Sequence, residues 1–228
     1  MKLLDIEQKI YLLDDDNFNF PTLEMMNDDL VAVGGDFHPQ RIINAYQNGL
    51  FPWFIDEYNY IHWFSPNKRM ILYPKQLKVS KSLRKSIKNK GFVVKTNENF
   101  KEVIKNCANI KRKHEDDTWI SDEFITAYTN LFQLGYAYSI EVYLDEKLVG
   151  GLYGLLIGEI FCGESMFSKV TDASKVAFYH LCQQASQNKI KLIDCQVHNK
   201  HLESLGAKEI PRGQYYEILE KNKQCLDD

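Results

Sequence analysis

The sequence predicts an α+β protein: a small N-terminal domain followed by a larger one built on a mostly antiparallel sheet. Three observations predict it. From Tyr138 the period changes to two: Tyr138 to Leu144 alternates, Leu148 to Ile157 returns after a short turn, and Ile160 to Met166 runs out after another, the pattern of an antiparallel meander. A stretch with helical apolar spacing follows, from about Ala173 to Asn188. The run Ile190 to Val197 then reads as a buried strand, and Asn199 to Leu205 as a short helix stopped by Gly206. The domain boundary falls near residues 65–75, which gives domains 1–70 and 71–228, with no low-complexity linker and no internal repeat.

Residues 1–20 are polar with a few apolar anchors and read as an extended lead-in. Leu30-Val-Ala-Val33 is a short apolar element ending at Gly34-Gly35. That glycine pair lies in neither G-x-G-x-x-G nor G-K-[ST], so it reads as a turn and not a phosphate loop. Pro39 opens a helix whose apolar face is Ile42, Ile43 and Tyr46, with Gly49 as its stop. Phe51-Pro-Trp-Phe54 and Ile61-His-Trp-Phe-Ser-Pro66 form a dense aromatic stretch bounded by prolines. It has two readings: a core corner, or a surface on which nucleic-acid bases stack. A helix from about Ser80 to Asn89 sets an apolar stripe (Val79, Leu83, Ile87) opposite a cationic face of Lys78, Lys81, Arg84, Lys85 and Lys88. Further helices are expected at 99–109, capped by Asn99, and at 121–134. Ser121 caps the latter, with Asp122 and Glu123 in its first turn. In the meander, Asp145-Glu-Lys147 and Gly158-Glu159 are the turns.

At 228 residues, 44% hydrophobic and 26% charged, the chain is neither disordered nor collagen-like, and it is long enough for a sizeable core. The longest apolar run, around Gly150 to Ile157, is short and glycine-broken, so no membrane span is expected. The N-terminus carries acids and no small-residue cleavage site, unlike a signal peptide. The five cysteines are scattered without C-x-x-C, which suits reduced thiols in the cytoplasm. His198 and His201 lack a third ligand in the pattern, so no metal is expected. The formal net charge of -3 conceals an asymmetry. From Pro66 to His114, fifteen Lys and Arg meet only Glu98 and Glu102, a local balance of +13 against -16 elsewhere. Such a segment suits a polyanion, above all nucleic acid, or else is a solubilising lysine-rich face offset by the acidic remainder.

Meander, helix, strand, helix is the element order of the N-acetyltransferase (GNAT-type) fold. There a glycine-rich loop opens the helix after the meander and holds the pyrophosphate of coenzyme A. Here the loop reads Ser168-Lys-Val-Thr-Asp-Ala-Ser-Lys175, without glycine. An acyl group carried on RNA would reconcile this scaffold with the +13 segment.

Ten stretches, in order, resemble the leucyl/phenylalanyl-tRNA–protein transferases. They are Leu30-Val-Ala-Val-Gly-Gly-Asp36, Ala45-Tyr-Gln-Asn-Gly-Leu-Phe-Pro-Trp53, Trp63-Phe-Ser-Pro-Asn-Lys-Arg69, Thr118-Trp-Ile120, Ser139-Ile-Glu-Val142, Val149-Gly-Gly-Leu-Tyr-Gly154, Phe161-Cys-Gly-Glu-Ser-Met-Phe-Ser168, Ala173-Ser-Lys175, Leu192-Ile-Asp-Cys-Gln-Val197 and His201-Leu-Glu-Ser-Leu-Gly-Ala207. Phe161–Ser168 together with Leu192–Val197 carries most of the specificity. One departure is Leu152, where the family often has Met; the two are close in volume. The resemblance implies transfer of Leu or Phe (with Met open) from its tRNA to the α-amino group of a protein beginning with Arg or Lys. That product is marked for degradation. The resemblance also implies no metal and no coenzyme A.

Aminolysis of an ester is downhill, so the enzyme chiefly positions its reactants, a contribution of roughly 7–11 kcal/mol. An α-amino group with a pKa of about 7.7–8 is already partly neutral at pH 7, so no strongly perturbed base is required. The resemblance implies a catalytic centre of Asp194 and Gln196, with Asp194 polarising Gln196 and Gln196 holding or deprotonating the amine. Strand alternation places Asp194 and Gln196 on one face and Cys195 in the core. A carboxylate beside an amine raises the amine's pKa, so a positioning role, or proton transfer through a tRNA hydroxyl, is equally open. Glu164, implied to bind the aminoacyl moiety, follows Gly163, which permits close backbone approach. Leu152, Phe161, Gly163, Phe178 and Leu181 are the expected aminoacyl pocket. Tyr46, Trp53, Trp119 and Tyr128 are the candidates to contact the 3′-adenosine, and Lys81, Arg84, Lys85 and Lys88 the tRNA backbone. The rivals are a coenzyme-A-dependent acetyltransferase or tRNA-dependent cell-wall peptide transferase on the same fold, and a non-catalytic RNA-binding module.

Overall fold

The computed structural model describes residues 1–5, 7, 9–109, 120–185, 187 and 189–224. The first sheet contains β1 (Lys2–Asp5), β2 (Ile10–Leu13), β3 (Leu30–Gly34), β4 (Phe51–Ile55) and β5 (Ile61–Phe64), with α1 (Pro39–Gln47) between β3 and β4. Its order is β1-β2-β3-β5-β4, antiparallel except for β2 beside β3. The lead-in is therefore more than extended chain: β1 and β2 form a hairpin, and Tyr11 and Leu13 enter the core. The aromatic stretch is chiefly a core corner. Phe51, Ile61 and Trp63 are buried, and the Trp63 indole N–H donates to the Gly34 carbonyl at 2.8 Å.

The rest of the chain runs β6 (Lys68–Leu72), α2 (Lys81–Asn89), β7 (Val93–Thr96), α3 (Phe100–Asn109), α4 (Asp122–Gln133), β8 (Ala137–Leu144), β9 (Lys147–Ile157), β10 (Ile160–Ser168), α5 (Ala173–Gln184), β11 (Leu192–Gln196), α6 (Lys200–Ser204), β12 (Lys208–Pro211) and α7 (Arg212–Gln224). The second sheet has the order β12-β6-β11-β10-β9-β8-β7, and only β10 and β11 run parallel. This is the expected mostly antiparallel, N-acetyltransferase-like architecture. Ser80, Ser121 and Asn199 cap α2, α4 and α6 through their side-chain oxygens. Helix α5 stops short of the expected Asn188, which lies outside the described residues.

Alternate residues of the central strands feed two cores. Tyr153, Cys162 and Leu192 join the first sheet, α1, α3, α4 and α7 on one side. Leu152, Phe161 and Ile193 join α2 and α5 on the other, together with Cys195, which takes the core position expected of it. Buried Arg212 ties the two halves together, and buried Arg41 braces the loops of the first. Arg212 donates to the carbonyls of Met26, Asp28 and Ser65, and Arg41 donates to those of Asp14, Asp15 and Asn17 and to the Asp36 carboxylate.

The glycines of β9 are required by what abuts them. A Cβ on Gly150 would lie 2.5 Å from the Ala173 Cβ, where α5 crosses the strand. A Cβ on Gly154 would lie 2.2 Å from the Cys162 carbonyl oxygen and 2.8 Å from the Phe161 ring. Gly154→Ala is thus expected to destabilise by about 1–3 kcal/mol. In a thermal melt this is a fall of roughly 2–4 °C per kcal/mol for a chain of this size; an unchanged midpoint would show that the sheet relaxes freely there.

Candidate active site

The site lies where β10 and β11, adjacent and parallel, both lose regular register. The last paired positions are Cys162 and Asp194. One step further, β10 carries a bulge against β9 between Gly163 and Ser165, and β11 an irregularity against β6 between Asp194 and Gln196. Gln196 has a left-handed backbone, φ +61. Bulges re-aim side chains, and these two turn Glu164 and Gln196 toward each other: the Gln196 Nε2 donates to Glu164 Oε1 at 2.8 Å. The strict alternation expected of Asp194 and Gln196 ends at this irregularity.

Glu164 also accepts hydrogen bonds from the hydroxyls of Tyr46 (2.6 Å) and Tyr128 (3.1 Å), which lie 2.7 Å apart. Burial outweighs these donors and pushes the Glu164 carboxyl up to about 7. Burial, followed by the nearby Glu164 charge, pushes both tyrosines well above their usual range.

The Asp194 carboxylate has different partners from those expected. Arg69 grips it with two hydrogen bonds, Nε to Oδ1 at 2.8 Å and Nη2 to Oδ2 at 2.6 Å. The Tyr215 hydroxyl donates to Oδ2 at 2.8 Å, and the Gln196 main-chain N–H to Oδ1 at 2.9 Å. Asp194 thus contacts Gln196 through the backbone, while the Gln196 side chain goes to Glu164. Arg69, counted in the basic segment, is 1% exposed and faces inward.

Beside Glu164 and Gln196 opens a cavity of about 410 Å³. Leu152, Phe161, Gly163, Phe178 and Leu181, the expected pocket, all line it, with Ile193 and Cys195. Met166, Pro52, His198 and Leu202 also line it and were not anticipated. Met166 faces the cavity only because the bulge between Gly163 and Ser165 reverses the alternation set by Phe161, and the others come from an edge strand, a loop and a short helix that periodicity does not reach.

Trp53 lines the cavity. Tyr46 and Tyr128 do not: both are fully enclosed, with their hydroxyls on Glu164, and neither presents a ring face for an adenosine. Trp119 lies outside the described residues, as do Lys111, Arg112 and Lys113. Lys81, Arg84, Lys85 and Lys88 are all exposed on α2, while Leu83 is buried beneath them. Among the described residues no group of three His, Cys, Asp or Glu is placed to hold a metal ion, and His198 lies 3.4 Å from Glu203. No helix among them is long and apolar enough to cross a membrane.

The family model described as leucyl/phenylalanyl-tRNA protein transferase matches residues 71–220, and that of its N-terminal domain matches residues 35–67. The chain belongs to the leucyl/phenylalanyl-tRNA protein transferase family. It is therefore an aminoacyltransferase that uses aminoacyl-tRNA and a protein acceptor. The transferase of that name from Flavobacterium johnsoniae is 50% identical over 210 residues, covering 92% of this chain and 99% of the relative. That from Dechloromonas aromatica is 49% identical over 196 residues, covering 85% and 83%. Among solved structures, FemX shares the fold with a TM-score of 0.50 at 11% identity, over 77% of this chain and 69% of its own. In this transferase the loop that opens α5 holds a carboxylate: Asp172, in left-handed conformation, accepts from the Ser86 hydroxyl at 2.7 Å and lies 3.5 Å from Lys175.

Proposed function

We propose that the protein transfers Leu or Phe from aminoacyl-tRNA to the α-amino group of proteins that begin with Arg or Lys. On this reading it works in the cytoplasm, and its products are marked for degradation. The observation that carries the reading is the apolar cavity with one polar end, where Glu164 and Gln196 meet. Leu152, Phe161, Gly163, Phe178 and Leu181 take the apolar side chain. Trp53 and Trp119 take the terminal adenosine, and α2 the tRNA backbone. Residues 1–70 supply one wall through β4, and residues 71–228 the remainder. Asp172 at the start of α5 supports an RNA-borne donor over coenzyme A, because a carboxylate there repels a pyrophosphate.

In the reaction the neutral acceptor nitrogen attacks the ester carbonyl, the C–N bond forms as the C–O bond to the ribose breaks, and the proton that the nitrogen loses goes to the departing ribose oxygen. With its Nε2 on Glu164, Gln196 turns its carbonyl oxygen to the incoming N–H. Ionised Glu164 receives the cationic amine and takes one proton from it, which leaves the nitrogen neutral for attack. The decisive experiment incubates the protein with radiolabelled leucyl-tRNA and a peptide starting with Arg. Label should move to the peptide; label remaining on the tRNA would sink the proposal.

A further inference from the structure

We propose that Arg69 is a positioning residue for the transfer reaction: it clamps Asp194 so that the Asp194 carboxylate holds the Gln196 backbone in its left-handed turn. The inference rests on the transferase reading of the same cavity. A left-handed backbone at a residue other than glycine costs about 1–3 kcal/mol unless its surroundings impose it. Here the imposing contact is the hydrogen bond from the Gln196 main-chain N–H to Asp194 Oδ1 at 2.9 Å. With that turn made, the Gln196 side chain lines the cavity and its Nε2 rests on Glu164.

The acceptor oxygen is itself immobilised. Asp194 is fully buried, and both its oxygens are engaged by the Arg69 fork, with Tyr215 on the second. The guanidinium is held in turn on three sides. The Phe51 ring lies 4.8 Å from its carbon, the Tyr215 ring lies 4.6 Å from it, and Nη1 donates to the Gly49 carbonyl at 3.1 Å. Phe51 and Gly49 come from around β4, and Tyr215 from α7. The clamp therefore sets Gln196 relative to the N-terminal domain, whose Trp53 and Pro52 line the facing wall. A carboxylate held by four hydrogen bonds in this way is a fixed anchor.

A double-mutant cycle separates anchor from base. Arg69→Met leaves the Asp194 charge buried and unpaired, and kcat is expected to fall about 100-fold through misplacement of Gln196, with KM for aminoacyl-tRNA unchanged. Asp194→Asn strands Arg69 in the same way. The double variant is neutral: Asn at 194 can still accept from the Gln196 N–H and can donate to Tyr215. It should regain at least about 10-fold in kcat over either single variant, a non-additivity that two independent sites do not show. Glu164 remains in the double variant, so its rate should still show the Glu164 inflection, displaced downward because the Asp194 charge that helps raise that carboxyl is gone. A folded double variant no faster than Asp194→Asn would overturn the proposal, because the charge of Asp194 would then be needed for itself. So would an undiminished kcat for Arg69→Met. The double variant keeps the test open if either single fails to fold. Wild-type enzyme run alongside distinguishes the two readings: if it transfers no label, the transferase reading fails, and if it does, only the clamp is in question.

Discussion

Glu164→Gln should make the enzyme roughly 100-fold slower, as expected for loss of a group that receives a charge or proton in the reaction. The same substitution should make the protein more resistant to unfolding at alkaline pH. Both effects come from one buried carboxyl. In the folded protein Glu164 titrates at about 7, against an ordinary value of 4.5, because burial disfavours its charge more than three donors favour it. Only the ionised form can receive a cationic amine, so the wild-type rate should rise through pH 7. The Gln variant should lose that inflection and keep only the one from the acceptor's own amine, at about 7.7–8.

The stability effect has the opposite sign. A folded-state pKa raised above the unfolded one contributes stability below the unfolded value that is lost as pH rises through the folded value. Wild type should therefore lose about 3 kcal/mol between pH 4.5 and pH 7 through this group. The Gln variant should not, so urea midpoints of the two proteins should diverge from pH 5 to pH 8. Parallel midpoints, or an inflection near 7 that survives the substitution, would show that Glu164 is not the group concerned. The acid that serves the reaction is thus held at an energetic cost to the fold, offset by the two cores on either side of it.

What could be read from the sequence followed the range of the interactions. The meander was legible because each turn closes on its neighbour: Asp145-Glu146 and Gly158-Glu159 join strands that pair with each other. Helix α2 was legible because Leu83 and Ile87 repeat on its own turns. Strand β6 was not, since its four buried residues pair with β11 and β12 more than 120 positions away, and prolines flank it. The site residues divide in the same way. The apolar pocket could be inferred from alternation in β9 and β10 and from the inner face of α5. The partners of Glu164 could not: Tyr46 lies 118 positions away, and its helical spacing predicts only that it points inward. Arg69 was concealed by its neighbours, being one cation among fifteen in a segment whose charge looked wholly external. A buried Asp in a central strand was the available signal, because such an acid needs a cation. The Gln196 turn left no sequence trace, since a left-handed glutamine is imposed by its surroundings and not by its own preference.

Removing Arg69 from the outward-facing count sharpens the second large effect. Of the fourteen remaining cations, Lys81, Arg84, Lys85 and Lys88 share α2, where they stand exposed above a buried stripe. Reversing all four to Glu leaves Leu83 and Ser86 untouched, so the helix should stay docked on α5 through Ser86 and Asp172. If each of the four neutralises one phosphate, the slope of log K against log salt should flatten by roughly 3–4. Affinity for aminoacyl-tRNA at low salt should fall on the order of 100-fold or more. The chemistry itself should persist: an aminoacyl-adenosine donor, lacking the tRNA backbone, should be used as well by the reversed enzyme as by wild type. Equal losses with both donors would mean that the substitutions disturb the cavity across the α2–α5 contact. A full loss with tRNA but an unchanged salt slope would place the RNA on another face. The separation is physical as much as functional. Charge on α2 acts over about 10 Å in 0.1 M salt and draws in a large anion. The Glu164–Gln196 pair acts only at hydrogen-bond range, on whatever that anion delivers.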